Sequence, residues 1–422
     1  MAFTLPPAKL TVSDLMTRGY FPDRVIPPVN PLSLSVALAD IHSFVVPKAT
    51  ASVKREPSGG VARGRCVTHS IPKRKHLRRT LSIPNPLHQF ILSAEIAGAW
   101  DDISQFCAQS TISLSAPRLS AIRALESSYP LNQQPEIRAQ RSVGSRYVLK
   151  ADIAQFYPSI YTHSIPWAFH GKTAARSDKK YALLGNRLDL WIRESQDKQT
   201  GGIPIGPDTS FVVGEILATS IDLKLLARIT SLAGSRSIDD YHLYFSTLSE
   251  AEKALAMLHE VAREFELDIN DPKTEVMPLP DILEPGWKSD LRTITIRDKG
   301  TGQAKDLLTL FDRAFEHSKH FASDSVLTYA AKHTLGVVID EENWKFYEAL
   351  LLRAAVAEPT LLSVVEEVYE KYAALHVDNT ALSAAIDSIC SYHAPLQQGN
   401  EVSWCAMARK KNECEYPESG WR

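Results

Sequence analysis

The chain has 422 residues, 47 lysines and arginines against 49 acidic residues, a formal net charge of -2, and 44% apolar residues. This balance excludes a disordered or fibrous chain, and the length allows a large core divided among two or three domains or lobes. No apolar run approaches the ~20 residues that cross a bilayer, so no membrane partner is expected and the protein reads as cytoplasmic.

The opening MAFTLPPAKL has no basic start followed by an apolar core, so it is not a signal peptide. Residues 1–45 carry Pro6, Pro7, Pro22, Pro27, Pro28 and Pro31 among short apolar pieces and read as an extended arm laid over a folded body. Ala49 to Arg65, containing SGG, reads as a mobile loop. It leads into a basic block: from Pro57 to Ala94 there is no acidic residue, while Arg63, Arg65, Lys73, Arg74, Lys75, Arg78 and Arg79 all fall there. Such a block points to a polyanion partner or to a solvated basic face. Five cysteines (Cys66, Cys107, Cys390, Cys405, Cys414) show no CxxC spacing, which argues against a disulfide framework and a zinc site.

In LSIPNPLHQFILSAEIAGAW a short strand ends at prolines and a helical pattern begins. VLKADIAQFYPSI predicts a buried strand over about 146–153, and Ser210 to Ile229 carries apolar residues at helical spacing. SRSIDDYHLYFST (235–247) places Asp239 and Asp240 at the tip of a hairpin. Ser249 to Phe265 predicts another helix, with Ser249 as its cap and Glu252 three residues on. This order predicts an α+β domain with helices on one face of an antiparallel sheet. After about residue 300 the amphipathic stretches are all helical, from DLLTLFDRAFEHSKHF to TALSAAIDSICSYH, and predict an α-solenoid or an irregular bundle.

Aspartate is a good turn former, so an Asp-Asp tip has a purely conformational reading. A second reading follows from Asp152, which ends an apolar strand where an unpaired charge is costly. With Asp152 beside the tip, three carboxylates would offer the hard oxygen ligands that suit Mg²⁺. Two such ions can activate a hydroxyl and steady a leaving pyrophosphate.

Four stretches in order resemble the motifs of the reverse transcriptases: ADIAQFY (151–157), GGIPIGPDTS (201–210), SIDDY (237–241) and LDINDPKTE (267–275). The resemblance covers about residues 70–280. It implies a right-hand polymerase fold, with fingers over 46–145, a palm with an antiparallel sheet over 146–280, and an all-α thumb and C-terminal region over 281–422. It further implies a DNA polymerase of the RNA-directed type using dNTPs and two Mg²⁺ ions on Asp152, Asp239 and Asp240. KRKHLRRTLSIP (73–84) resembles the fingers element that grips the triphosphate, which gives that role to Lys73 and Arg79, with Arg74, Lys75 and Arg78 as alternates. Tyr157 falls at the aromatic steric gate, Pro204 and Gly206 in the nucleotide-supporting loop, and Lys273 near the leaving pyrophosphate.

Departures from the common pattern are Ile238 before the aspartates, Ile205 in the loop, and Pro158 after Tyr157. With FYPSIYTHSIPWAFHGK (156–172) and the helical C-terminal region, they resemble bacterial abortive-infection and defence-associated reverse transcriptases, among them a type in which two polymerases act with a noncoding RNA. The implied partners are DNA product, RNA, and a second reverse transcriptase subunit or a second copy. Two rival readings are a catalytically silent RNA- or DNA-binding scaffold and a retroelement enzyme of the group II intron kind. Lys319, Lys332, His333 and Lys345 are candidates to touch product backbone, and Trp404, Cys405 and Trp421 to pack on a partner. Template, primer, product sequence and trigger are not legible in these motifs.

Overall fold

A computed structural model of the protein describes residues 7–21, 62–74, 77–178, 180–322, 324–372, 375 and 377–413. Within these ranges the chain falls into two units, one drawn from 7–21, 62–68 and 81–283 and the other from 69–80 and 284–413. Eight strands are described. β1 (Val67–Arg74) and β2 (Leu77–Ile83) pair, as do β3 (Pro117–Leu119) and β4 (Leu125–Ser127). β5 (Tyr147–Asp152), β6 (Ala233–Ser237), β7 (Asp240–Phe245) and β8 (Glu275–Pro278) form one antiparallel sheet in the order β6-β7-β5-β8.

Side chains alternate across a strand, so this sheet has two different faces. Leu149 and Ala151 of β5 and Tyr241 and Leu243 of β7 are buried in the first unit's core. The long helix Asp208–Arg228 and the helix Leu248–Glu264 contribute Val213, Ile216, Leu217, Ala251 and Leu258 to the same core. Lys150 and Asp152 of β5 and Asp240 and His242 of β7 alternate with those core residues and share the opposite face. The second helix begins two residues before the expected site: Thr247 accepts from the Glu250 amide and Glu250 reaches back to the Thr247 amide, so Thr247, not Ser249, is the cap. A capping box satisfies two amide donors at once, which decides between the two hydroxyl residues. Among the arm residues, the helix Val12–Thr17 buries Leu15 and Met16.

In the second unit, helices span Gly286–Arg292, Gly300–His320, Val326–Leu335, Glu341–Ala357, Leu362–Lys371, Asn379–His393 and Gly399–Glu413 around one apolar core. Cys405 is fully buried in that core and Trp404 packs on it, so Cys405 is not a surface contact; Trp421 lies outside the described residues. Residues 69–80 of the β1–β2 hairpin belong here as well. Arg78 donates to both carboxylate oxygens of the fully buried Glu401 at 2.6 and 2.9 Å, and to the Ser70 hydroxyl and carbonyl at 2.7 and 2.6 Å. Among the described residues Cys66, Cys107, Cys390 and Cys405 are free thiols, and no helix is long and apolar enough to cross a membrane.

One buried cluster ties β6 to the long helix. Arg236, on β6 and inaccessible to solvent, donates to Glu215 at 2.7 and 3.0 Å and to Asp222 at 2.8 and 3.0 Å. Tyr241 donates to Asp222 at 3.0 Å, and Ser110, Ser113 and Ser115 donate their hydroxyls to the same two carboxylates. Burial, then relief by Arg236, leaves the Asp222 carboxyl above the usual carboxylate range. The segment around Ser113 also bridges Arg236, with the Leu114 amide donating to the Arg236 carbonyl at 2.7 Å, so the outer edge of β6 is covered. Removing one partner of a buried ion pair strands the other charge and costs about 3–5 kcal/mol. Arg236→Met is expected to destabilise the first unit on that scale in thermal or urea unfolding, whereas a surface change such as Arg313→Met leaves the transition within about 0.5 kcal/mol of the parent.

Candidate active site

β5 and β7 are paired so that Asp152 stands directly across from Asp240. Ser237 pairs with Asp240 across the β6–β7 hairpin, so Ile238 and Asp239 alone form the turn. The expectation that both aspartates sit at the tip is therefore corrected: Asp240 is the first residue of β7 and Asp239 is in the turn. Strand pairing takes precedence here because Asp240 continues the Asp152 ladder.

The turn is strained. Ile238 is β-branched yet has φ 60°, a conformation unfavourable for such a residue. Surrounding bonds hold it there. The Ile238 amide donates to the Ser115 hydroxyl at 2.8 Å, its carbonyl accepts from Arg236 at 2.9 Å, and the Ile153 amide donates to the Asp239 carbonyl at 3.2 Å. The same Arg236 that joins β6 to the long helix thus fixes the backbone beside Asp239.

Asp152 is buried and satisfied on both oxygens. Asn270 Nδ2 donates to Oδ1 at 2.7 Å and Lys273 Nζ donates to Oδ2 at 2.7 Å. Backbone bonds pin the two segments together, from the Asn270 amide to the Asp152 carbonyl at 2.7 Å and from the Ala154 amide to the Asp268 carbonyl at 2.8 Å. Burial alone would raise the Asp152 carboxyl, but hydrogen bonds from Lys273, Asn270 and Asp240 outweigh it and hold Asp152 below its ordinary value. Asp240 goes the other way. Partial burial, then the Asp239 charge, then the contact with Asp152 push it up to about 7. Three carboxylates compete for protons at one strand end, and this chemistry suits a hard cation. Among the described residues no three His, Cys, Asp or Glu side chains stand together as a ready metal cage. Lys273 supplies a positive charge on Asp152.

Tyr157 is half-buried below the same strand end, its ring centroid 5.3 Å from that of Phe156. Burial, then the charge of Asp239, raises its phenol. A Cβ on Gly214 of the long helix would lie 3.1 Å from Tyr157 Cε1 and 3.2 Å from Phe156 Cε1, so glycine there lets both rings approach. The Ile203 amide donates to the Tyr157 carbonyl at 2.9 Å, and the Gly202 amide to Ile160 at 2.9 Å. Gly202 has φ 77°, and a Cβ there would stand 2.9 Å from the Pro158 carbonyl oxygen. These bonds join the loop with Pro204, which is buried, and Gly206, which is partly exposed, to the segment after Asp152.

Lys73 and Arg79 are exposed on β1 and β2. Arg74 lies in β1, and Lys75 falls outside the described residues. Arg78 is committed to Glu401 and Ser70, so its role as an alternate is corrected: a guanidinium pairing a buried carboxylate is not available for phosphate. Four contributors escaped the sequence reading. Asn270 lay within a quoted motif without a role. Arg236, Glu215 and Asp222 left one signal, two acids seven residues apart on an otherwise apolar helix. The face of the sheet bearing Asp240 also carries a cavity of about 380 Å³ lined by Arg138, Ser142, His242, Tyr244 and Asp281. Arg138 Nε and His242 Nδ1 have no hydrogen-bond partner there.

Residues 99–302 match the family model described as reverse transcriptase (RNA-dependent DNA polymerase). Solved structures with similarity include apo telomerase from Candida tropicalis, at 11% identity over 87% of this chain and 72% of that one, with a TM-score of 0.40. A form of it truncated from its C-terminal domain matches at 12% identity over 57% of this chain, with a TM-score of 0.37, and the chain spans 56% of its length. Telomerase from Candida albicans, solved with a fragment of telomeric RNA, matches at 9% identity over 86% and 67%, with a TM-score of 0.36. No curated protein matches the chain in sequence. The paired-aspartate hairpin and the strand aspartate both lie inside the matched stretch, and over that stretch the chain is similar to reverse transcriptases.

Proposed function

We propose that this chain synthesises DNA from dNTPs, with Asp152, Asp239 and Asp240 holding two Mg²⁺ ions. The observation that carries the reading is the register that sets Asp152 across from Asp240, with Asp239 held next to it in a strained turn. Two bound Mg²⁺ ions supply activation of the primer 3′-hydroxyl and neutralise charge on the departing pyrophosphate. The protein's part is positioning. Lys273 and Asn270 keep Asp152 ionised and aimed, and Arg236 fixes the turn that aims Asp239. Lys273 would also be the cation beside Asp152 that could face a leaving group. The resemblance gives the triphosphate to Lys73 and Arg79, and the base-supporting loop to Pro204 and Gly206. A tyrosine packed on Gly214 beside Asp239 supports the steric-gate role of Tyr157, since a ring cannot yield to a ribose 2′-hydroxyl.

The finer reading is a defence-associated enzyme that works with RNA and with a second polymerase subunit or copy. It rests on FYPSIYTHSIPWAFHGK and on the helical C-terminal unit. The scaffold alternative gains support from one observation, the ion pair by which Lys273 neutralises Asp152 at 2.7 Å. A salt-dependent RNA binder that never makes DNA would fit it.

Asp239→Asn is expected to abolish incorporation of labelled dNTPs, a loss of about a hundredfold or more, with thermal unfolding unchanged; undiminished synthesis would remove the polymerase reading. The Asp240 carboxyl competes with cations for its own oxygens. Its folded value lies above the usual aspartate range, so the protonated form is favoured at acid pH and is lost as pH rises through about 7. The Mg²⁺ concentration for half-maximal synthesis is therefore expected to rise below pH 7, by up to roughly tenfold per pH unit for one competing proton. A flat requirement from pH 8 to pH 6 would contradict it. Tyr157→Ala is expected to raise ribonucleotide incorporation relative to deoxynucleotide by about tenfold or more, read from competing single-nucleotide extensions.

A further inference from the structure

A second cavity in the first unit, of about 400 Å³, lies among residues 161–193 and has no role in the chemistry above. Three of its walls are aromatic. Tyr161 and Trp167 meet edge to face at 5.8 Å between centroids, His163 stands edge-on to Tyr161 at 5.1 Å, and Tyr181 lines another side. Cations gather at the same rings: Lys172 Nζ is 4.1 Å from the Trp167 centroid and the Arg176 guanidinium 5.9 Å. Among the described residues neither is ion-paired to a carboxylate. The cavity's acids are already committed. Asp189 accepts from Arg193 at 3.0 Å and from His163 at 2.9 Å, and Asp178 accepts from the amides of Lys180, Ala182 and Leu183. Asn186, only 8% exposed, donates its amide to the Ala175 and Asp178 carbonyls, while its Oδ1 has no partner.

Aromatic faces, cations without carboxylate partners and one unsatisfied acceptor are the complement of a nucleobase on a phosphate backbone. Stacking and charge together hold single strands with little sequence preference. The backbone ties this wall to the loop that the resemblance gives to nucleotide support. Tyr161 bridges Gly201 and the Thr162 amide donates to the Thr200 carbonyl at 2.9 Å, so the aromatic wall is joined to the start of the GGIPIGP loop. We infer that this cavity receives an unpaired base of the nucleic-acid strand that the enzyme reads, RNA or DNA, with the ring stacked among Tyr161 and Trp167 and its phosphate at Arg176. This rests on the polymerase reading for the identity of the strand.

The test uses the full chain with a primer annealed to a template whose unpaired overhang carries a single photoreactive uridine, 4-thiouridine in an RNA arm and 5-iododeoxyuridine in a DNA arm. The expected result is a crosslink within the peptide 161–176 in one or both arms; the arm that crosslinks identifies the strand's chemistry. Trp167→Ala should weaken overhang binding by about fivefold or more, with Trp167→Phe near the parent. Arg176→Glu, at an exposed position, should do the same without lowering the unfolding temperature. Crosslinks confined to other peptides, or parental affinity in both Trp167→Ala and Arg176→Glu, would overturn the assignment. DNA synthesis is measured on the same preparations. A crosslink at the cavity without synthesis sustains the site and removes the polymerase reading, whereas synthesis without that crosslink does the reverse.

Discussion

The end of the four-stranded sheet that carries Asp152, Asp239 and Asp240 depends on one guanidinium. Arg236 is withdrawn from water between Glu215 and Asp222, and its Nη1 donates as well to the Ser115 hydroxyl and to the carbonyl of Ile238 in the strained turn. A buried arginine with two carboxylates is not an economical source of stability, because desolvation consumes most of the Coulomb gain. It does confer geometry. A planar donor array with fixed directions can satisfy two acids and a carbonyl in only one arrangement, and that arrangement puts β6 at a set angle to the long helix. A leucine in its place would fill the volume but would leave the Ile238 carbonyl, next to Asp239, without that donor.

Strand and helix periods were legible where burial is one-sided. The alternation in VLKAD and DYHLYF gave β5 and β7, and the apolar spacing from Ser210 gave the long helix, observed as Asp208–Arg228. Detail failed where local signals were nearly equal. Thr247 and Ser249 are both credible caps, and only the reach of Glu250 separates them. Asp239 and Asp240 are both turn formers, and only the ladder to Asp152 makes the second a strand residue. The last helix, Gly399–Glu413, has no apolar stripe to reveal it; it is held by single buried groups, Asn400, Glu401 and Cys405. The meeting of Asp152 with the Asp239–Asp240 hairpin was legible because a charge at the end of an apolar strand is conspicuous. Their supports were not, since Arg236 and Asn270 look like ordinary polar residues until their partners are known.

The basic block shows how one sequence feature divides into different physical roles. Arg78 closes on Glu401 and Ser70 as part of the second unit's interior, and His69 meets Asn400 at 3.0 Å beside it. Arg65 pairs with Asp197 at the surface of the first unit. Lys73 and Arg79 remain exposed on the hairpin. A run of positive charge without acids nearby in sequence can therefore be partly neutralised by acids hundreds of residues away. What distinguishes a ligand-facing arginine from a structural one is the burial of its carboxylate partner, and Glu401 is fully buried. Arg78 thus anchors the hairpin that carries Lys73 and Arg79 to the helix Gly399–Glu413.

The two facing aspartates are chemically unequal, and their surroundings explain why. Asp152 receives two strong donors and stays ionised; Asp240 faces Asp239 and Asp152 with no donor of comparable strength and holds its proton to about pH 7. Environments that push paired carboxyls apart commonly mark sites where one group must be committed and the other must change state. Here the committed member is the one rooted deepest, fastened at side chain and backbone to the segment that carries Asn270 and Lys273. The adaptable member lies nearer solvent. Rigidity on one strand and protonic freedom on its neighbour therefore meet at one ladder position, where Asp152 stands across from Asp240.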